Sequence, residues 1–318
     1  MKVIVFGGAG FLGSHVADAL SDVGYNVTVF DVRPSPYARD GQSVLVGDIL
    51  DLKTVSDAVR GQDIVFHFAG IADIEEANAR PLDTVRTNIL GTAVLLEAAR
   101  QCAVRRFVFA SSVYVYSDAG GLYRSSKQAC ELLVEDYRRM FGLNYTVLRY
   151  GSLYGDRADD RNWIHRILLQ AVTEGRIVRY GDGEEIREYI HVRDAARCSV
   201  DILSPGFENE NVVIAGHQAI KIKDLLTMIR ELMGNKVAIE YRPPESSPPH
   251  YAGLHYQVTP YTFKPGVARK LVSTYYLDLG EGILNCLYDI YGQTTRSDLV
   301  GTGTKGNESG SLVVPKRE

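Results

Sequence analysis

The chain is poor in the features that would place it in several large functional classes. Four cysteines in 318 residues, Cys102, Cys130, Cys198 and Cys286, lie far apart and without metal-ligand spacing. That excludes a disulfide scaffold and predicts free thiols in a reducing compartment. Thirty-five basic residues stand against 39 acidic ones, a formal net charge of −4, with the signs interspersed. Such a surface lacks the basic face that a nucleic acid or an anionic membrane requires. No apolar run approaches the ~20 residues that span a bilayer, and the first residues read as a strand, not as a charged and then apolar leader. A cytoplasmic location is expected, with no membrane contact and no nucleic-acid partner. His250 and His255 have no third ligand partner, so no metal site is expected. No internal repeat is present.

What the chain does have is an alternation of short apolar runs and helical stretches. Lys2–Phe6 reads as a buried parallel strand. Gly7, Gly10 and Gly13 follow as G-x-x-G-x-x-G, then a helix over Ser14–Leu20 and a second strand, Val27–Phe30, ending in Asp31. Further strand-like runs are Ser43–Val46, Ile64–Phe68, Phe107–Ala110 and Thr146–Arg149. Helices are expected at Leu52–Val59, Arg80–Cys102 and Ser126–Met140. The pattern predicts an α/β fold, a doubly wound parallel sheet of Rossmann type, with a smaller C-terminal α/β substrate-binding domain. The dinucleotide domain is expected over residues 1–153 with a return segment at 186–203, and the second domain over 154–293. Within the latter, helices are expected at Asn162–Gly175, Ile222–Met233, Ala268–Leu271 and Leu279–Tyr291, and a strand at Lys236–Tyr241. Residues 242–266, rich in Pro, His and Tyr, predict a structured loop over a site, and residues 294–318 a disordered tail.

Strand, glycines, helix, strand and acid in that order point to dinucleotide binding. Glycines permit a tight turn and close backbone approach, and the helix that follows points its first amides at a pyrophosphate. Asp31 follows Gly13 by 18 residues, near the ~20 at which a carboxylate accepts the ribose hydroxyls. It would repel a 2′-phosphate, which favours NAD over NADP, although Arg33 lies close by.

Tyr123 and Lys127 are four residues apart, which on one helix puts them on the same face. A phenol near pKa ~10 is a poor base at neutral pH. An adjacent ammonium and an oxidised nicotinamide both favour the phenolate. Ser112, at a strand end, can hydrogen-bond the same substrate oxygen. Ser112, Tyr123 and Lys127 are therefore the expected catalytic residues, removing an alcohol proton while a nicotinamide takes the hydride; Tyr123 and Lys127 also face the cofactor.

With these residues in place the chain resembles the extended short-chain dehydrogenase/reductases, in particular the nucleotide-sugar epimerases and dehydratases. Residues 1 to about 200 carry the likeness well. Gly7-Gly8-Ala9-Gly10-Phe11-Leu12-Gly13 is similar to the family's cofactor turn. The resemblance places Asp48 and Ile49 at the adenine and Phe68, Ala69 and Gly70 against the cofactor, and gives Asn88 a mainly structural role. It assigns Arg187, in Arg-Glu-Tyr-Ile-His-Val-Arg-Asp, to the nucleotide diphosphate, a task that suits a guanidinium. Ser152 stands where relatives often carry an asparagine and is assigned to the substrate. Dehydratases and decarboxylases of the family carry acids where this chain has Val113 and Tyr114, and the ten residues between Ser112 and Tyr123 replace a much longer loop over the sugar.

The resemblance implies a tightly held NAD, a nucleotide-diphosphate sugar as substrate and 4-epimerisation through a 4-keto intermediate. The alternatives are a nucleotide-sugar dehydrogenase, 4-keto reductase or dehydratase, or a non-catalytic NAD-binding regulator on the same fold. It also implies a homodimer joined through Arg80–Cys102 and Ser126–Met140.

Overall fold

The computed structural model describes residues 1–243, 259, 269–273 and 275–301. In chain order the first half runs β1 (Lys2–Phe6), α1 (Phe11–Asp22), β2 (Asn26–Asp31), β3 (Ser43–Val46), α2 (Leu52–Val59), β4 (Ile64–His67), α3 (Ile74–Ala79), α4 (Pro81–Thr84), a π-helical turn (Val85–Leu90), α5 (Gly91–Gln101), β5 (Arg106–Ser112), α6 (Gly121–Phe141) and β6 (Tyr145–Tyr150). The second half runs β7 (Ser152–Tyr154), α7 (Trp163–Glu174), β8 (Arg176–Tyr180), β9 (Ile186–His191), α8 (Val192–Asp201), β10 (Glu210–Ile214), β11 (Ala219–Lys221), α9 (Ile222–Leu232), β12 (Ala238–Arg242), β13 (Arg269–Leu271) and α10 (Leu279–Gly301).

Eight strands form one sheet in the order β13-β10-β6-β5-β4-β1-β2-β3, every neighbouring pair parallel. This is the doubly wound parallel sheet that the sequence predicts. Alternation along β1 explains its two covered faces. Val3 and Val5 pack with Val16, Leu20, Ala195 and Ile202 of the α1/α8 side, while Ile4 and Phe6 pack with Leu95, Leu96 and Val134 of the α5/α6 side. The winding reverses between β1 and β4, which opens the crevice beyond their carboxyl ends. A third core, of Leu168, Leu225, Leu226, Ile229, Ile283 and Leu287, joins α7, α9 and α10. It adjoins two smaller sheets, β11-β9-β7 and β12-β8.

Several expectations are corrected. The large sheet takes in residues 210–214 and 269–271, so Arg269–Leu271 is a strand paired with β10, not a helix. Hydrogen-bond donors and acceptors along the β10 edge impose that conformation on a segment too short to set its own. Helix α10 continues to Gly301, so residues 294–301 are helical rather than part of a disordered tail; residues 302–318 lie outside the described residues. So do most of the loop at 242–266 and both of His250 and His255. Among the described residues no helix is long and apolar enough to cross a membrane.

Candidate active site

The glycine turn follows β1 and is held by backbone hydrogen bonds: Gly7 N–H donates to the Phe30 carbonyl, 2.9 Å, and Gly10 N–H to that of Gly7, 3.1 Å. Gly7 has φ +79°, and a Cβ there would lie 2.5 Å from the Ala69 nitrogen. A Cβ on Gly13 would collide with the Gly7 carbonyl oxygen. The turn is thus packed directly against the residues that follow β4. Helix α1 has Gly10 as its N-cap, with no side-chain hydrogen bond to its first-turn amides, which leaves them open to a ligand's acceptor. Asp31 Oδ2 accepts from Ala9 N–H at 3.0 Å, tying the end of β2 to the turn.

The other expected cofactor residues converge here. Asp48 is exposed and its Oδ1 accepts from Leu50 N–H, 2.9 Å. Ile49 is buried against Gly91, where a Cβ would come 2.5 Å from Ile49 Cδ1. Phe68 donates its N–H to the Phe6 carbonyl, 2.8 Å, across the switch point. Gly70 has φ +150° and leaves room for the Asn88 amide. That amide accepts from Ile71 N–H, 2.8 Å, and donates to the Ile71 carbonyl and to Ser126 Oγ, both 3.0 Å.

Ser112 ends β5 and is buried; its Oγ accepts from Tyr114 N–H, 3.3 Å, capping the short 3-10 turn Val113–Tyr116. Tyr123 and Lys127 lie on α6, 9% and 7% exposed. Lys127 Nζ donates to the Ala110 carbonyl, 2.8 Å, and sits 5.8 Å from the Tyr123 ring centroid. Burial pulls the Lys127 pKa down, opposed by Cys130 and Glu131. The Tyr123 ring packs with Ile71, Ile74, Ala77 and Tyr114, the last edge-on at 6.1 Å. Tyr123 and Lys127 thus lie together on α6, and Ser112 ends the strand whose Ala110 carbonyl receives Lys127.

Ser152 and Arg187 are set by register. Ser112 pairs with Tyr150, Ser152 follows two residues on and pairs with Tyr189, and Arg187 lies two residues before Tyr189 on β9. Arg187 donates to the Ile186 carbonyl, 3.1 Å. Beneath the site lies a group that motif reading missed. Glu131 accepts from Ser111 Oγ at 2.5 Å and from Arg149 through Nε–Oε1, 3.0 Å, and Nη2–Oε2, 2.6 Å. Arg149 also donates to the Tyr116 hydroxyl. The signal was present in the sequence: Glu131 sits one turn beyond Lys127, among residues of the face that packs on β5.

A family model described as the NAD dependent epimerase/dehydratase family matches residues 3–215. The chain belongs to that family. Its relatives differ in reaction. An uncharacterized UDP-glucose epimerase of Bacillus subtilis is 25% identical over 268 residues, 76% of this chain and 85% of that protein. A UDP-N-acetyl-alpha-D-glucosaminuronate decarboxylase of Bacillus cytotoxicus is 28% identical over 275 residues, 78% and 85% of the two chains. The UDP-glucose 4-epimerase of Thermotoga maritima, solved with UDP-glucose, superposes with a TM-score of 0.76 at 26% identity, over 93% of this chain and all (100%) of that one.

NAD is the cofactor of this family member, and the residues present fit it. The glycines let the turn close on itself and pack against the residues after β4, the helix that follows starts without a side-chain cap, and a carboxylate stands at the end of β2. Among the described residues no cluster of three or more His, Cys, Asp or Glu could hold a metal.

Proposed function

We propose that this enzyme is a nucleotide-sugar 4-epimerase. The observation that carries the reading is the buried Ser112–Tyr123–Lys127 group, next to a turn whose positions 113 and 114 hold valine and tyrosine. The family resemblance puts acids at those two positions in dehydratases and decarboxylases. Without them, elimination lacks its proton donor and the hydride is expected to return to the sugar.

Bound NAD supplies a hydride acceptor and, once reduced, a hydride donor. Gly7, Gly10, Phe11, Leu12 and Gly13 would hold its pyrophosphate, Asp31 its adenosine ribose, Asp48 and Ile49 its adenine, and Phe68, Ala69 and Gly70 its nicotinamide half. Tyr123, as phenolate, takes the proton of the sugar 4-hydroxyl, and Lys127 stabilises that phenolate and reaches the nicotinamide ribose. Ser112 orients the reacting oxygen. Arg187 pairs with the diphosphate and Ser152 contacts the substrate. The 4-keto sugar turns about its diphosphate linkage so that its opposite face would receive the hydride at C4, and Tyr123 returns its proton to the 4-oxygen.

A homodimer is proposed through the α4–α5 and α6 surfaces, where Leu82 is 83% and Met140 71% exposed. A cytoplasmic location fits the four free cysteines.

A sugar nucleotide deuterated at C4 tests the reaction. The expected product is its C4 epimer with the label retained and no net NADH. A stable 4-keto-6-deoxy sugar would replace the epimerase by a dehydratase. Stoichiometric NADH would replace it by a dehydrogenase, and inertness across UDP-, GDP-, CDP- and dTDP-sugars by a binding protein.

A further inference from the structure

Tyr123 is the third residue of α6, and a helix begins there under poor local terms. Its N-cap is Gly120, in the left-handed region at φ +95° and without a side chain to accept from the first turn, and Gly121 follows at φ +52°. Glycine inside a helix weakens it, and an uncapped first turn frays. The missing acceptor comes from another element. Asn78 of α3 accepts from Leu122 N–H through Oδ1, 2.9 Å, the bond a capping side chain makes to the second residue of its own helix. The same amide donates through Nδ2 to the Ile74 carbonyl, 2.7 Å, so both of its ends are fixed. A Cβ at Gly121 would fall 2.9 Å from Asn78 Cγ, so the glycine is what lets the amide in.

Helix α3 is itself anchored. Asp73 caps it through Glu76 N–H, 2.7 Å, and Thr84 Oγ1 donates to the Ala77 carbonyl, 2.9 Å. Ile74 and Ala77, on the same short helix, pack on the Tyr123 ring. One element thus fixes both the backbone before Tyr123 and the face of its ring.

We infer that Asn78 is a positioning residue for Tyr123, capping the catalytic helix from outside it. The short connection after Ser112 has no capping side chain of its own. This rests on the reading of Tyr123 as the catalytic base, so the test carries a readout independent of turnover.

Asn78→Ala and Asn78→Asp are compared with wild type in the full chain loaded with NAD. Steady-state kinetics on a sugar nucleotide are paired with NMR of 13Cζ-labelled tyrosine, the Tyr123 resonance being assigned with Tyr123→Phe. Asn78→Ala is expected to cut kcat about tenfold, about 1.4 kcal/mol, with KM unchanged, and to move the Tyr123 resonance. Asn78→Asp keeps the acceptor oxygen while losing the Nδ2 donor to Ile74, and is expected to restore both in large part, since aspartate caps as well as asparagine. Unchanged kcat and an unmoved resonance in Asn78→Ala, even with lower thermal stability, would reduce Asn78 to a structural residue and overturn the inference. A resonance that moves in Asn78→Ala and returns in Asn78→Asp, in a protein inert on sugar nucleotides, would uphold the brace and overturn the epimerase reading instead.

Discussion

Arg149 of β6 and Glu131 of α6 face each other through two parallel hydrogen bonds, 3.0 and 2.6 Å, with both side chains buried. The pair joins the strand beside Ser112 to the helix that carries Lys127. Paired, the two charges roughly offset their own desolvation; broken, one is stranded in a medium of low polarizability. Arg149→Met is therefore expected to cost about 3–5 kcal/mol, read as a lower urea midpoint. Glu131→Leu combined with Arg149→Met should recover most of that loss. A single variant as stable as wild type would show that the pair holds nothing.

Tyr123→Phe keeps the ring and its packing with Ile74, Ala77 and Tyr114 but removes the hydroxyl. Turnover should fall by about 100-fold or more, as for loss of a general acid–base, with fold and NAD affinity intact. Lys127→Ala should in addition weaken NAD. If Tyr123→Phe stays near wild type, Tyr114 becomes the better candidate, because the Tyr116 hydroxyl already accepts from Arg149.

Asp31 ends β2 beside the glycine turn, where the ribose 2′-position is expected. A carboxylate accepts a hydroxyl there and repels a phosphate. NAD should bind at least about tenfold more tightly than NADP, about 1.4 kcal/mol. Calorimetry with equal affinities would remove Asp31 from the ribose site.

Two buried histidines make the fold acid-sensitive. Burial pushes the His67 pKa down to about 3, and that of His191 to about 4. Well above pH 6.5 neither carries a proton, folded or unfolded, and neither affects stability. Below the unfolded value of about 6.5 the unfolded chain binds protons that the native chain refuses. Stability should therefore fall as pH drops from about 6.5 toward 4, by up to about 1.4 kcal/mol per pH unit for each histidine. Denaturant titrations at pH 7, 6 and 5 measure the slope. A flat profile across that window would mean that both rings take up protons without unfolding.

The positions of the glycine turn after β1, of Asp31 at the end of β2 and of Ser112 at the end of β5 were legible because each depends on local spacing. The start of α6 was not. The sequence suggests a helix from Ser126, because Gly120 and Gly121 argue against one, and the residue that compensates them, Asn78, lies 44 positions away from Leu122. Helix α3 went unseen for a similar reason: six residues show less than two turns of any period. Strands β7 and β11, three residues each, are set by partners and not by their own pattern. The helix expected over Arg80–Cys102 is present as one continuous path, but apolar periodicity cannot announce the π-helical turn inside it.

That turn, Val85–Leu90, holds one residue more than a regular helix would use for the same path. Asn88 lies within it, and its carbonyl collects the Thr92 hydroxyl at 2.6 Å and the Cys130 thiol at 3.2 Å. Loss of a single codon here would let the backbone relax into an ordinary helix, a local gain. It would also rotate everything upstream by about 100°, carrying Asn78 away from the helix it caps. The stretch should tolerate many substitutions at its exposed positions and no change in length.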